Sequence, residues 1–261
     1  MTAARVCVLG PSGRMGRSIV DAAAGRTDVV LSALVARADG ASIGQSIAGL
    51  TVTAHPTAAL AASSVYIDFT TPAATRAFAD AATVARVPAV IGTTGLDADA
   101  EAALTRLAKV APVVVAANFS LGVNIVLGVA QQIARTLGPD WDAEVVETHH
   151  RAKRDAPSGT ALAIARAIAA GRGVDYDSVK RHSRDGDIGP RPRGEIGVST
   201  VRGGDVVGEH TATFYGAGER IELGHRATSR TIFAAGALHA AAWVVGKPPG
   251  RYDMIDVLGL R

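Results

Sequence analysis

Short β-branched runs alternate with alanine-rich stretches of helical period through the first half of this 261-residue chain, and that alternation leaves few folds open. Residues 6–9, 29–35, 65–69, 89–91 and 113–116 read as strands. Residues 15–24, 73–86 and 99–108 read as helices, with apolar positions at helical spacing. Strands separated by helices need crossover connections, so they predict a parallel sheet covered by helices. The pattern changes after about Asn118. A helix at 123–136, a strand at 144–148 and a helix at 160–170 are followed by strands near 197–201, 210–214 and 220–225. Strand following strand at hairpin spacing predicts a mixed or antiparallel sheet, hence a second, α+β lobe. An alanine-rich helix at 232–245 is long enough to return to the first lobe. Residues 181–195, "RHSRDGDIGPRPRGE", are charged and rich in Gly and Pro and read as a mobile loop.

Composition narrows the function classes. Hydrophobic residues make up 48% and charged residues 20% of the chain, as in a globular protein with a real core. The formal charge of +3 is spread over scattered arginines without a Lys/Arg run or interleaved aromatics, which argues against nucleic acid and for small anionic ligands. No apolar stretch approaches the ~20 residues of a membrane span, and the first apolar run stops at Gly10, too short for a secretory signal. Cys7 is the only cysteine, so an intrachain disulfide and a cysteine metal cage are both ruled out and a reducing cytoplasm is the expected setting.

The first chemical motif is "VCVLGPSGRMGRSIV", a strand running through Gly10, Gly13 and Gly16 into a helix. Glycines let the backbone approach a pyrophosphate, and a helix N-terminus offers unpaired N–H groups and partial positive charge. As the first βα turn of the series it predicts a dinucleotide site; the competing reading is a plain glycine turn. After the next strand stand Ala36 and Arg37, where an NAD-selective site carries an acid for the ribose hydroxyls. Arg37 suits a 2′-phosphate, against the alternative of a solvated surface arginine. "IGTTG" and "AANFS" follow the fourth and fifth strands, at the sheet edge where α/β proteins bind ligands.

The second motif is "ETHHRAKRDAPSGTAL" at 147–162. Neighbouring histidines on a strand point to opposite faces, so His149 and His150 are ill suited to share one metal ion, and no HExxH spacing accompanies them. His149 is a candidate catalytic acid, competing with a packed or surface histidine. Lys153 and Arg154 are either substrate cations or a solvated face. Only four of the 27 basic residues are lysines, which makes Lys153 the more telling. Pro157-Ser158-Gly159-Thr160 opens a helix and forms an anion-binding N-terminus, so cations followed by this cradle imply a carboxylate- or phosphate-bearing substrate.

Taken in order, "GPSGRMGR", "YIDFT", "IGTTG", "AANFSLGVN", "ETHHRAKRDAPSGTAL", "VGEHTATF" and "HRATSR" resemble the 4-hydroxy-tetrahydrodipicolinate reductase (dihydrodipicolinate reductase) family over essentially the whole chain. The resemblance implies a Rossmann-like nucleotide lobe at 1–119, completed by 231–261, and a substrate-binding and oligomerisation lobe at 120–230. It implies an NAD(P)H-dependent oxidoreductase of diaminopimelate and lysine biosynthesis, a cyclic dicarboxylate substrate, no metal and a homotetramer. By motif position His149 and Lys153 would be catalytic, and His150, Lys153, Ser158, Gly159, Thr160 and Arg230 would hold the carboxylates. Gly10, Pro11, Ser12, Gly13, Arg14, Met15, Arg37, Gly92, Thr93, Thr94, Ala116, Ala117, Asn118 and Phe119 would bind the dinucleotide. Two departures bear on cofactor choice. Ala36 stands where an acid often precedes the arginine, and Thr71 follows "DFT" where many relatives have an arginine. Ala36 together with Arg37 predicts NADPH over NADH, while Thr71 withdraws a second cationic contact and so limits the size of that preference. Three other readings fit parts of the sequence: a semialdehyde dehydrogenase using Cys7, a non-catalytic dinucleotide sensor, and an imine-forming lyase using Lys153.

Overall fold

A computed structural model describes residues 2–261. The elements in chain order are β1 (Ala4–Leu9), α1 (Arg14–Ala23), β2 (Val29–Val35), β3 (Ser46–Ile47), β4 (Leu50–Thr53), α2 (Pro56–Ala61), β5 (Val65–Asp68), α3 (Pro72–Ala85), β6 (Ala89–Ile91), α4 (Ala98–Ala108) and β7 (Pro112–Val115). After them come α5 (Leu121–Leu137), β8 (Asp142–His149), α6 (Gly159–Arg172), α7 (Tyr176–Val179), β9 (Lys180–Arg181), β10 (Ile196–Arg202), β11 (Gly208–Tyr215) and β12 (Arg220–Ala227). The chain closes with α8 (Thr231–Val244), β13 (Gly250–Tyr252) and α9 (Met254–Val257). Contacts divide it into two compact units, one running to Leu121 and including Thr231–Gly259, the other Gly122–Arg230 with the last two residues.

The first unit is built on an eight-stranded sheet of order β13-β7-β6-β5-β1-β2-β4-β3. Every pairing in it is parallel except β3 with β4. The central strands read as unbroken apolar runs because both faces are covered. Val6, Val8, Val65 and Ile67 pack on one face with Ile19 of α1 and Ala237, Leu238 and Ala241 of α8. Cys7, Tyr66 and Ile91 pack on the other with Phe78, Ala82, Leu104 and Leu107 of α3 and α4. The expected strands and helices are present, and the returning helix belongs to this unit. The short elements β3, β4, β13, α2 and α9 carry too few residues to show a period.

The second unit holds a five-stranded sheet of order β12-β11-β8-β10-β9. It is mixed, as expected: β10 runs parallel to β8, while β11 runs antiparallel to β8 and β12. Helix α6 supplies the crossover and buries Ile164, Ala165 and Ile168 against Val145, Val198, Ala212 and Phe214. Residues 182–195 form no helix or strand and are mostly exposed, as a loop should be, but their charges are not all solvated. Arg184 bonds Glu144 at 2.8 and 3.1 Å, and Arg191 bonds Asp142 at 2.6 Å and Glu144 at 3.1 Å. Charges that look solvated in sequence are here a set of ion pairs pinning the segment to β8. Among the described residues no helix is long and apolar enough to cross a membrane.

Candidate active site and dinucleotide cradle

In the first unit β1 ends in Gly10, which has φ +62°, a conformation glycine adopts without strain. A Cβ on Gly16 would lie 2.0 Å from the Gly10 carbonyl oxygen, so only glycine lets α1 start this close to the turn. The helix begins at Gly13 without a side-chain cap, which leaves leading N–H groups for an anion. Beside it opens a cavity of about 790 Å³ lined by Gly10, Ser12, Gly13, Ala36, Arg37 and Thr70, among others. An uncapped helix start, a glycine cradle that Cβ atoms would fill and a cavity of this size fit a dinucleotide.

The expected cofactor residues divide here. Gly10, Ser12, Gly13 and Arg37 line the cavity, whereas Pro11, Arg14 and Met15 belong to the same turn and helix start but not to its lining. Gly92 follows β6, where a Cβ would strike the Phe69 ring at 2.1 Å. Thr94 is exposed, while Thr93 is buried with its hydroxyl between Asp68 and Thr75. Ala116, Ala117 and Asn118 follow β7, and the buried Phe119 ring packs against Phe69 at 5.2 Å. Arg17, Ser42, Gln45 and Thr71 also line the cavity, beyond the residues that the motifs mark. Arg17 is one helical turn beyond Gly13, a signal present in the sequence. Thr71 caps α3 by accepting from the Ala74 amide at 3.4 Å.

Under this edge lies a buried carboxylate. Asp68 accepts from Thr70 through both hydroxyl (2.6 Å) and amide (2.8 Å), and from the Thr75 hydroxyl at 2.6 Å. Burial raises its pKa, and the bonds from Thr70, Thr75 and Thr93 work in the opposite direction. Burial likewise pushes the Cys7 thiol up to about 12, which leaves it protonated and unsuited to act as a nucleophile.

In the second unit the site grows from β8. Glu147 and His149 alternate onto the same buried face, and the His149 Nδ1 lies 2.6 Å from a Glu147 carboxylate oxygen. The other oxygen accepts from the Ser158 amide at 3.0 Å. From β10 Arg202 gives Glu147 two bonds, 2.8 and 2.9 Å long, and the Thr200 hydroxyl approaches at 3.2 Å. Burial opposes the charge on Glu147, but the bonds from Arg202, His149 and the Ser158 amide outweigh it and hold the pKa at about 2. From β11 His210 meets the Ser158 hydroxyl at 3.0 Å, and its ring stands edge-on to His149 at 5.2 Å. Burial first, then the neighbouring His149, lowers the His210 pKa to about 4, so this ring is neutral.

His149 and Ser158 are thus joined through one carboxylate. Ser158 caps α6, its hydroxyl accepting from Ala161 at 3.1 Å while its amide is taken by Glu147. The open part of the helix start is therefore Gly159, exposed with nothing within 4 Å of where a Cβ would stand; Thr160 follows it half-buried. Lys153 is half-buried in the turn after β8 and pairs with Asp155 at 2.9 Å. His150 is half-buried, and its amide donates to Val206 at 2.8 Å. Arg230 stands exposed before α8, and no hydrogen bond or ion pair among the described residues joins it to this cluster. No group of three His, Cys, Asp or Glu among the described residues could hold a metal ion.

Comparison with known proteins adds to this geometry. Residues 4–119 match the family model for the N-terminus of dihydrodipicolinate reductase, and residues 122–258 match that for its C-terminus. A 4-hydroxy-tetrahydrodipicolinate reductase of Cereibacter sphaeroides is 50% identical over 98% of both chains. The enzyme of that name from Thiobacillus denitrificans is 46% identical over 98% of this chain and 99% of its own. Among solved structures, a dipicolinate-bound dihydrodipicolinate reductase from Paenisporosarcina sp. TG-14 superposes with TM-score 0.80 at 26% identity, covering 97% of this chain and 98% of that one.

Proposed function

This chain belongs to the dihydrodipicolinate reductase family, and on that premise we propose that it reduces 4-hydroxy-tetrahydrodipicolinate to tetrahydrodipicolinate with a reduced nicotinamide dinucleotide, in diaminopimelate and lysine biosynthesis. The observation that carries the reading is the single carboxylate of Glu147, bonded at once to His149 and to the amide that starts α6. A proton donor and an anion-attracting helix start share one anchor. A lyase would not need the glycine cradle, a sensor would not need this cluster, and a semialdehyde dehydrogenase would need the thiolate that burial denies Cys7.

The reduced nicotinamide supplies a hydride when bound. Loss of the C4 hydroxyl as water, with a proton from C3, leaves a C3=C4 bond conjugated with the ring imine; hydride addition at C4 then makes an electron-rich enamine, and His149 delivers the proton that C3 takes. Lys153, His150, Arg230 and the helix start at Ser158, Gly159 and Thr160 neutralise the two carboxylates and orient the ring. The dipicolinate bound by the Paenisporosarcina relative is a ring dicarboxylate of the kind this cluster would take. Ser158 acts through its position as cap, its own polar atoms being engaged within the fold. Gly10, Pro11, Ser12, Gly13, Arg14 and Met15 hold the pyrophosphate, while Gly92, Thr93, Thr94, Ala116, Ala117, Asn118 and Phe119 border the nicotinamide half. Thr93 and Phe119 contribute backbone there, since their side chains are packed inside.

Arg37 selects NADPH by binding its 2′-phosphate. Its side chain is 80% exposed and only 3.6 Å from Asp39, a weak solvated pair that a phosphate readily replaces. NADH remains usable. A homotetramer assembled through the second unit would cover Val146 and Val201, which are exposed on one face of its sheet; the single cysteine suits a cytoplasmic setting. The test is the fall in NADPH absorbance on adding freshly generated 4-hydroxy-tetrahydrodipicolinate. The expected result is substrate-dependent oxidation, faster than with NADH; no oxidation with either dinucleotide overturns the reading.

A further inference from the structure

Glu147 has no role in the chemistry above, yet it is the most heavily bonded side chain in the second unit's cluster. Its carboxylate takes Arg202 twice, the Ser158 amide, the Thr200 hydroxyl and His149 Nδ1. The first four contacts come from the fold and would fix the carboxylate were the histidine absent. The ring thus depends on the carboxylate more than the carboxylate depends on the ring. An ionised carboxylate can only accept hydrogen bonds, so the nitrogen 2.6 Å away must carry the proton. The opposite nitrogen, Nε2, points at Gly208, where a Cβ would lie only 2.9 Å away. Glycine at 208 therefore leaves space beside the nitrogen that the carboxylate does not use. Strand register explains the assembly: β10 aligns Thr200 with Glu147 and Arg202 with His149.

We propose that Glu147, clamped by Arg202 and the Ser158 amide, is a positioning residue that holds the His149 ring with a proton on Nδ1 and so makes Nε2 the proton-exchanging nitrogen. The inference rests on His149 as the proton donor. In the transfer the Nε2–H bond breaks as the C–H bond forms at substrate C3, the electron pair stays on Nε2, and the Nδ1–H bond to Glu147 persists. A solvent proton then restores the imidazolium, whose charge the carboxylate balances. The groups around His149 are Glu147 on its own strand, Arg202, which β10 holds in register with it, and His210 from β11; His210, kept neutral by burial and by the nearby His149, adds no competing charge, and Lys153 acts on His210 in the same direction.

Solid-state ¹⁵N spectra of microcrystalline protein labelled at its seven histidines test the tautomer without any variant, His149 being assigned by its loss in His149→Gln. The expected neutral form has a protonated Nδ1 and a bare Nε2. The reverse pattern overturns the proposal. Kinetics then test the role. Glu147→Gln should lower kcat by about 10- to 100-fold with KM for both substrates within about two-fold, and should change kcat by less than about two-fold in a His149→Gln background. Equal losses in both backgrounds, or a change confined to KM, mark Glu147 as purely structural and overturn it. If His149→Gln alone turns over normally, the donor assignment fails instead, and the spectrum still decides whether Glu147 sets the tautomer.

Discussion

The two candidate sites are built in opposite ways. The first uses backbone: three glycines, an uncapped helix start and a cavity lined largely by small side chains, with a buried carboxylate, Asp68, held by neutral threonines. The second uses side chains from separate strands, Glu147 and His149 on β8, Arg202 on β10 and His210 on β11, with real charges paired inside. A backbone site tolerates many side chains nearby but no added Cβ at its glycines. A side-chain site tolerates surrounding bulk but not the loss of one partner.

That contrast is broken most forcefully at Gly16. Gly16→Ala drives a Cβ into the Gly10 carbonyl, and overpacking of that kind costs about 1–3 kcal/mol, so the Kd for NADPH in a fluorescence titration should rise by up to about 100-fold. An unchanged Kd would mean that the cradle is not where the dinucleotide binds.

In the second unit the charged cluster should show in pH-dependent stability. The His210 pKa of about 4 lies below the ordinary histidine value, so its contribution is complete above about pH 6.5 and is lost as pH falls toward 4. The loss amounts to about 3 kcal/mol, at about 1.4 kcal/mol for each tenfold weakening of proton affinity on folding. Glu147, at about 2, adds a second loss only below about pH 4.5. Urea midpoints measured from pH 7 to 4 should fall in wild type and be flatter in His210→Gln. Parallel curves would show that His210 titrates normally.

Lys153→Ala should lower kcat/KM by about 10- to 100-fold, since it removes a charge-assisted contact of about 1.5–3 kcal/mol. The Asp155 pair offsets part of this, because the lysine must leave one carboxylate for another. Normal kinetics would return Lys153 to the solvated surface. The smallest effect belongs to cofactor choice: wild type should prefer NADPH by about ten-fold in kcat/KM, and Arg37→Ala should remove that preference. Ala36→Glu should move it toward NADH. Equal use of both dinucleotides by wild type at moderate salt would make Arg37 a surface residue.

The same contrast explains what is legible in the sequence alone. The glycine cradle is contiguous, so strand, turn and helix announce it within fifteen residues, and the long elements follow their periods closely. The cluster around His149 is not contiguous. Glu147 stands in the motif but reads as an ordinary strand residue, and its partner Arg202 lies 55 positions away, brought alongside only by the β8–β10 register. Arg184 and Arg191 are illegible for a related reason, since they count as solvated until Glu144 and Asp142 are known to face them. Arg17 is within reach of the motif; Ser42 and Gln45 come from a turn with no period to place it.

The most direct measurement pairs turnover with binding in one variant. His149→Gln should lower kcat by about 100-fold or more, the scale of losing a general acid, while its Kd for NADPH stays within about two-fold of wild type. Near-normal turnover in that variant would contradict the assignment of His149 as the proton donor.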